Sequence, residues 1–79
     1  MNAEVVLVHF QRLRDLREDR GLTQSQLGEL LHIRQNVYSR YELGYRTLPL
    51  EYLLILADFY HTSTDYILGR TNDPYPPKK

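Results

Sequence analysis

Gln35, Asn36, Ser39 and Arg40 bring carboxamide, hydroxyl and guanidinium groups together in one short stretch. On a helix, positions i, i+1, i+4 and i+5 share a face. Carboxamides offer a donor and an acceptor side by side, and a guanidinium donates through a rigid planar fork. Groups of this kind match flat patterns of donors and acceptors, and nucleobase edges present such patterns. Gln and Asn pair bidentately with adenine, Arg with guanine, and Ser with several partners. The bland rival is an ordinary solvated face, but that usually carries Glu and Lys with Ala between them.

The same stretch, IRQNVYSRYELG at 33–44, has a second face. Ile33, Val37, Tyr38 and Tyr41 fall at i, i+4, i+5 and i+8, enough for one buried stripe. Something must lie beneath that stripe and hold its opposite face outward. The preceding residues supply it. Thr23 as N-cap and Gln26 three residues on form a capping box, and Leu22 and Leu27 are placed as its hydrophobic staple. That helix presents Leu27, Leu30 and Leu31 to a core. Gly28 in its middle costs about 1 kcal/mol against Ala, so another backbone is expected to pass close by. Only His32 and Ile33 separate it from the next helix. A capped helix, a tight turn and a second short helix make a helix-turn-helix, whose second helix can lie in a DNA major groove.

Three further helices complete an all-α reading of five segments. The first runs up to Arg20, with Val6, Phe10, Leu13 and Leu16 inward and Gly21 as a left-handed stop. Asn2 can cap it across Val5–Val8, although three β-branched residues in four also suit a strand; helix is the expectation. Gly44 closes the third helix, and Pro49 suits the first turn of the fourth. There Leu50, Leu53, Leu54, Leu56, Ala57 and Tyr60 form a broad apolar face. Ser63 caps a last helix with Asp65 in its first turn and Tyr66, Ile67 and Leu68 after it, ended by Gly69. The domain therefore covers 1–70. The tail TNDPYPPKK at 71–79 has no apolar period and is expected to be mobile.

Composition narrows the functional classes. Seventy-nine residues make one domain, and with no cysteine neither disulfides nor a thiolate metal site can staple it. No apolar run approaches a membrane span or a signal-peptide core, so a soluble, cytoplasmic protein without a membrane partner is expected. The net charge is zero, yet its distribution is uneven. From His9 through Arg46 there are seven Arg and five acids, a balance of +2; the remainder holds three bases and five acids, a balance of −2. His9, His32 and His61 are scattered and lack matching acidic or cysteine partners, so no metal or cofactor is expected. A nucleophile with a base and an orienting acid cannot be assembled, and an enzyme is not expected.

Three blocks, LRDLREDRGLTQSQLGELL, SRYELG and PLEYLLILADFY…DYILGRT, carry a family resemblance. From Phe10 to Arg70, about three quarters of the chain, the sequence resembles the phage-repressor (Xre-type) helix-turn-helix DNA-binding family, whose DNA-binding domain is a compact bundle of five helices. The resemblance implies that Gln35, Asn36 and Arg40 read bases with Ser39 as a helper, Arg40 suiting a phosphate or a surface ion pair equally. It implies that Gln24 holds a backbone phosphate and braces the first recognition residue, and that Arg34, Tyr45 and Arg46 touch phosphates. Arg17 and Glu42 resemble a structural ion pair between the first helix and the end of the third. Gly28 stands where the family has a small residue at the helix crossing. Three positions depart from the pattern. His32 occupies the usual glycine of the turn, so the turn must strain or use another backbone. Arg34 replaces the usual Ser cap and cannot cap, which leaves the start of that helix open by one residue. Tyr38 replaces a branched aliphatic, and its hydroxyl needs a partner or an exit to solvent.

The partner implied is double-stranded DNA, bound by a homodimer that reads a palindromic operator as a bacterial or phage repressor. Tyr66, Ile67 and Leu68 are the candidate dimer patch, with Val5–Val8 as the alternative. Two rival readings stay open: a protein-interaction module on the same fold, antitoxin-like or an anti-repressor partner, and the DNA-binding part of a longer repressor.

Overall fold

The hydroxyl of Thr23 accepts from the Gln26 backbone N–H at 3.1 Å, and the Gln26 side chain accepts from the Thr23 N–H at 2.8 Å. This reciprocal box starts α2, and a cap of its kind contributes about 1 kcal/mol. Ser63 starts the last helix in the same way, accepting from the Tyr66 N–H at 3.0 Å. The computed structural model describes residues 10–76, so the alternatives at Asn2 and Val5–Val8, the inward position of Val6 and the possible dimer segment there lie outside the described residues.

The helices are α1 (Gln11–Asp19), α2 (Gln24–Leu31), α3 (Gln35–Glu42), α4 (Leu50–Phe59) and α5 (Thr64–Ile67), with no strand among the described residues. All five end alike. After each, one residue turns left-handed and two backbone N–H groups reach back to carbonyls of the last turn. Gly21, Gly44 and Gly69 do this at φ +65°, +83° and +78°, as their positions in the sequence foretell. After α2 and α4 the residue is His32 (φ 58°) and His61 (φ 54°). Each histidine occupies a site that glycine fills without strain.

The core is built from Phe10 and Leu13, Leu27 and Leu31, Tyr38 and Tyr41, Leu48, Leu53, Leu56, Ala57, Tyr60 and Ile67. Leu13, Leu27, Tyr38 and Leu56 are wholly enclosed. The fourth helix departs from the broad face expected of it. Leu53, Leu56, Ala57 and Tyr60 are buried, but Leu50 and Leu54 are 69% and 51% exposed. Among the described residues no further layer covers that edge of the helix. Pro49 also sits one residue earlier than expected: it precedes α4 as the capping residue (φ −59°, ψ 144°).

Arg12 joins α1 to α5 and to the segment that follows it. Its guanidinium donates to the carbonyls of Tyr66 and Thr71 and to Asn72 Oδ1, and stacks 4.2 Å from the Tyr66 ring centroid. Thr62 donates to the Pro74 carbonyl. The segment just beyond Arg70 is thus tied to the bundle at two places.

Candidate nucleic-acid interface

α3 sits on α2 at the position of Gly28. A Cβ built there would lie 2.7 Å from the backbone oxygen of Ile33, closer than van der Waals contact allows. Glycine is therefore what lets the two helices cross at this distance, as its mid-helix cost implies. His32 makes the turn. Its N–H donates to the Glu29 carbonyl at 3.2 Å and the Ile33 N–H to the Gly28 carbonyl at 2.9 Å. The backbone is the left-handed one a glycine would use, so the strained alternative is the one realised. The left-handed region costs a non-glycine residue about 1–2 kcal/mol, partly offset by glycine's greater unfolded-state entropy. His32→Gly is therefore expected to raise stability by about 0.5–1 kcal/mol, seen as a higher urea midpoint at unchanged m-value. A lower midpoint would mean that the imidazole makes a contact worth more than the strain.

α3 begins at Gln35, and Arg34 is its capping residue with extended backbone and no side-chain cap bond. The Arg34 carbonyl accepts the N–H groups of Val37 and Tyr38, each at 3.0 Å. This register points Tyr38 and Tyr41 inward, with Tyr41 edge-on to Tyr52 of α4 at 6.0 Å between centroids. The opposite side faces out: Arg34, Gln35, Asn36 and Arg40 are exposed and Ser39 is half-buried. Tyr45 (64% exposed) and Arg46 follow Gly44 at the helix end. None of Arg34, Arg40 and Arg46 forms an ion pair with a described residue. Three uncommitted guanidinium groups around two carboxamides make this surface locally positive although the chain as a whole is neutral.

An ion pair fixes the far end of α3. Arg17 Nε donates to Glu42 Oε2 at 3.0 Å and Nη2 to Oε1 at 2.9 Å, while Nη1 donates to the Leu22 carbonyl at 3.0 Å. Its side chain is 14% exposed and that of Glu42 only 3%. The hydrogen-bonded carboxylate holds the Arg17 guanidinium above its ordinary pKa, against the opposing effect of burial. Gln24, half-buried at the start of α2, donates through Nε2 to Glu42 Oε1 at 3.4 Å. The Arg17–Glu42 pair thus ties α1, the α1–α2 loop, the start of α2 and the end of α3.

Beneath the same carboxylate lie two phenols. The hydroxyls of Tyr38 and Tyr60 are buried without a hydrogen-bond partner among the described residues. Burial pushes the Tyr60 hydroxyl up to about 12, with the nearby Glu42 charge adding to the effect. The Tyr38 hydroxyl is raised further for the same two reasons. It has no exit to solvent, and the Glu42 carboxylate is near enough to act on it.

The candidate dimer residues are not brought together on one surface. Ile67 is 2% exposed and belongs to the core, Tyr66 is covered by Arg12, and only Leu68, at 41%, offers apolar surface. Among the described residues no group of three His, Cys, Asp or Glu side chains is placed to hold a metal, and no helix is long and apolar enough to cross a membrane. Two residues beside the site escaped notice in the sequence: Gln11 and Arg14 line the same cleft as Gln24. Gln11, Arg14 and Arg17 follow one another at intervals of three, a polar stripe along α1, and that is the signal that marks them.

A braced helix pair joined by a tight turn, with a polar outer face on its second member, defines a helix-turn-helix protein. A family model described as helix-turn-helix matches residues 13–67. Over 69 residues the chain is 46% identical to an uncharacterized HTH-type transcriptional regulator, YobD, of Bacillus subtilis (strain 168), covering 87% of this chain and 62% of that protein. It is 42% identical over 60 residues to the HTH-type transcriptional regulator ImmR of the same organism (76% of this chain, 47% of ImmR). With AnsR, a third such regulator from that strain, identity is 38% over 63 residues (80% and 54%). No solved structure matches the chain significantly. The chain belongs to the phage-repressor-like (Xre-type) helix-turn-helix family of transcription regulators. It spans between about half and three fifths of the length of these curated relatives.

Proposed function

We propose that the chain is a sequence-specific DNA-binding regulator, acting as a repressor, with α3 in the major groove of a palindromic operator. One observation carries this: Gln35, Asn36 and Arg40 stand exposed and uncommitted on a helix whose other side is locked to α2 and α1. Gln35 and Asn36 read base edges, with Ser39 assisting and Arg40 reaching a base or a neighbouring phosphate. Gln24, Arg34, Tyr45 and Arg46 hold the backbone on either side. A single domain covers few bases, so two copies read two half-sites about 34 Å apart. Such a protein works in the cytoplasm, at the nucleoid. Arg34 and Arg46, as two charged phosphate contacts in each subunit, by themselves make affinity fall roughly 200-fold between 50 and 200 mM salt.

Selection of bound duplexes from a random pool tests the proposal directly, and an enriched inverted repeat is the expected result. On the selected site, Gln35→Ala is expected to weaken specific binding by about 1–3 kcal/mol and to relax one base position in each half. A variant that binds and discriminates like the parent would remove Gln35 from the reading surface.

A second reading, a protein-interaction module, is favoured by one feature. Leu50, Leu54 and Ile55 leave an apolar side of α4 exposed. The two readings separate cleanly, because a module of that kind would form a stable hetero-complex and show no salt-dependent affinity for duplex DNA.

A further inference from the structure

Beside Gln24 the surface dips into a cleft of about 420 Å3. Its walls are Gln11, Arg14 and Arg17 of α1, Gln24 of α2, and Glu42 with Leu43 at the end of α3. Two of these charges cancel, since Arg17 is committed to Glu42 and to the Leu22 carbonyl. Arg14 is different. Its Nε donates to Glu18 Oε1 at 3.0 Å, one turn along α1, but the two side chains are 54% and 53% exposed. Exposed pairs of this kind hold their partners weakly and yield to a better acceptor. Gln11 is similarly placed, donating to Asp15 Oδ1 at 3.0 Å on the exposed side of the helix. Neither Asp15 nor Glu18 lines the cleft, so the charge it offers to an incoming group is that of Arg14.

We infer that this cleft seats a phosphate of the DNA backbone, next to the one held by Gln24, with Arg14 as its charged donor and Gln11 as a neutral one. The inference rests on the proposed function, because it requires α3 to be docked in the groove. It extends the grip from the helix-turn-helix onto α1. The chemistry fits the position. A phosphodiester carries one negative charge and accepts in a plane that a guanidinium fork can match. The cleft shares the Gln24 wall and therefore opens on the side where backbone must pass when α3 enters the groove. Such a contact carries no sequence information and adds to affinity on every duplex alike.

The test measures binding of the full chain by fluorescence anisotropy across a salt series, on a duplex selected by the parent and on a scrambled one. Arg14→Gln is expected to weaken both by the same factor and to lower the slope of log K against log salt by about 1 per bound subunit. Arg14→Lys should keep the slope, and Glu18→Gln should tighten binding to both duplexes, since Arg14 then has no competitor. Arg14 and Glu18 are exposed on α1, so unchanged thermal melts certify that folding is intact. An Arg14→Gln variant with the parent's slope overturns the inference while leaving the base-reading helix standing. A parent chain that binds no duplex overturns both, and its own titration tells the two failures apart.

Discussion

Arg17→Met is expected to cost about 3–5 kcal/mol of folding stability, the usual consequence of leaving one partner of a buried ion pair behind. The partner left is Glu42, whose side chain is 3% exposed and retains a long Gln24 contact at 3.4 Å. The neighbouring phenols of Tyr38 and Tyr60 are buried as well, so on that side the charge faces core rather than solvent. A domain of this length holds about 4–12 kcal/mol in all, so the loss is a large share of it. Replacing both members, Arg17→Met with Glu42→Leu, removes the stranded charge and should recover much of the loss, although the Leu22 carbonyl forfeits its donor. Urea unfolding followed by circular dichroism reads both variants. If the single variant unfolds within about 1 kcal/mol of the parent, the carboxylate is better solvated than its burial implies and the brace assigned to it fails.

Gly28→Ala pits two effects against each other, and the steric one should win. Alanine gains about 1 kcal/mol of helix propensity over glycine. Against this, the new Cβ would stand 2.7 Å from the Ile33 oxygen, with the Arg34 carbonyl carbon and the Gln35 nitrogen both at 3.4 Å. All three are backbone atoms, so no side chain can swing aside; α3 itself must move. Overpacking of this sort costs about 1–3 kcal/mol, and here the obstruction is at the rigid end of that range. A net loss of about 1–2 kcal/mol is expected. A second effect follows: the exposed row of Gln35, Asn36 and Arg40 is displaced relative to Gln24, and binding to a selected duplex should fall more than stability does. A more stable Gly28→Ala protein with unchanged duplex affinity would show that the crossing can widen freely.

Much of this was legible because it depends on local chemistry. The capping box at Thr23 and Gln26 and the glycine stops at Gly21, Gly44 and Gly69 each rest on a few neighbouring atoms, and those atoms are named in the sequence. Gly28 was legible for the opposite reason, as a local cost that only a tertiary contact could justify. His32 and His61 were not, since nothing in histidine's chemistry asks for a left-handed backbone; the turn imposes it. The outward edge of α4 is not legible, because a periodic leucine pattern fixes an apolar stripe without saying how wide the cover over it is. The outer face of α3 reads directly from spacing. The cleft beside it does not, because it forms only where α1 crosses the end of α3.

The fastening of Arg12 to Tyr66, Thr71 and Asn72 bears on how the chain matures. One of the first residues of α1 finds its hydrogen-bond acceptors some sixty positions later in sequence. During synthesis, helices α2 and α3 can pair early through short loops, but α1 has no means of completing its contacts until the last turn of the bundle has emerged. The stretch that follows α5 therefore acts as a clasp, and a chain interrupted before it would carry the reading helix without the closed ring that steadies it.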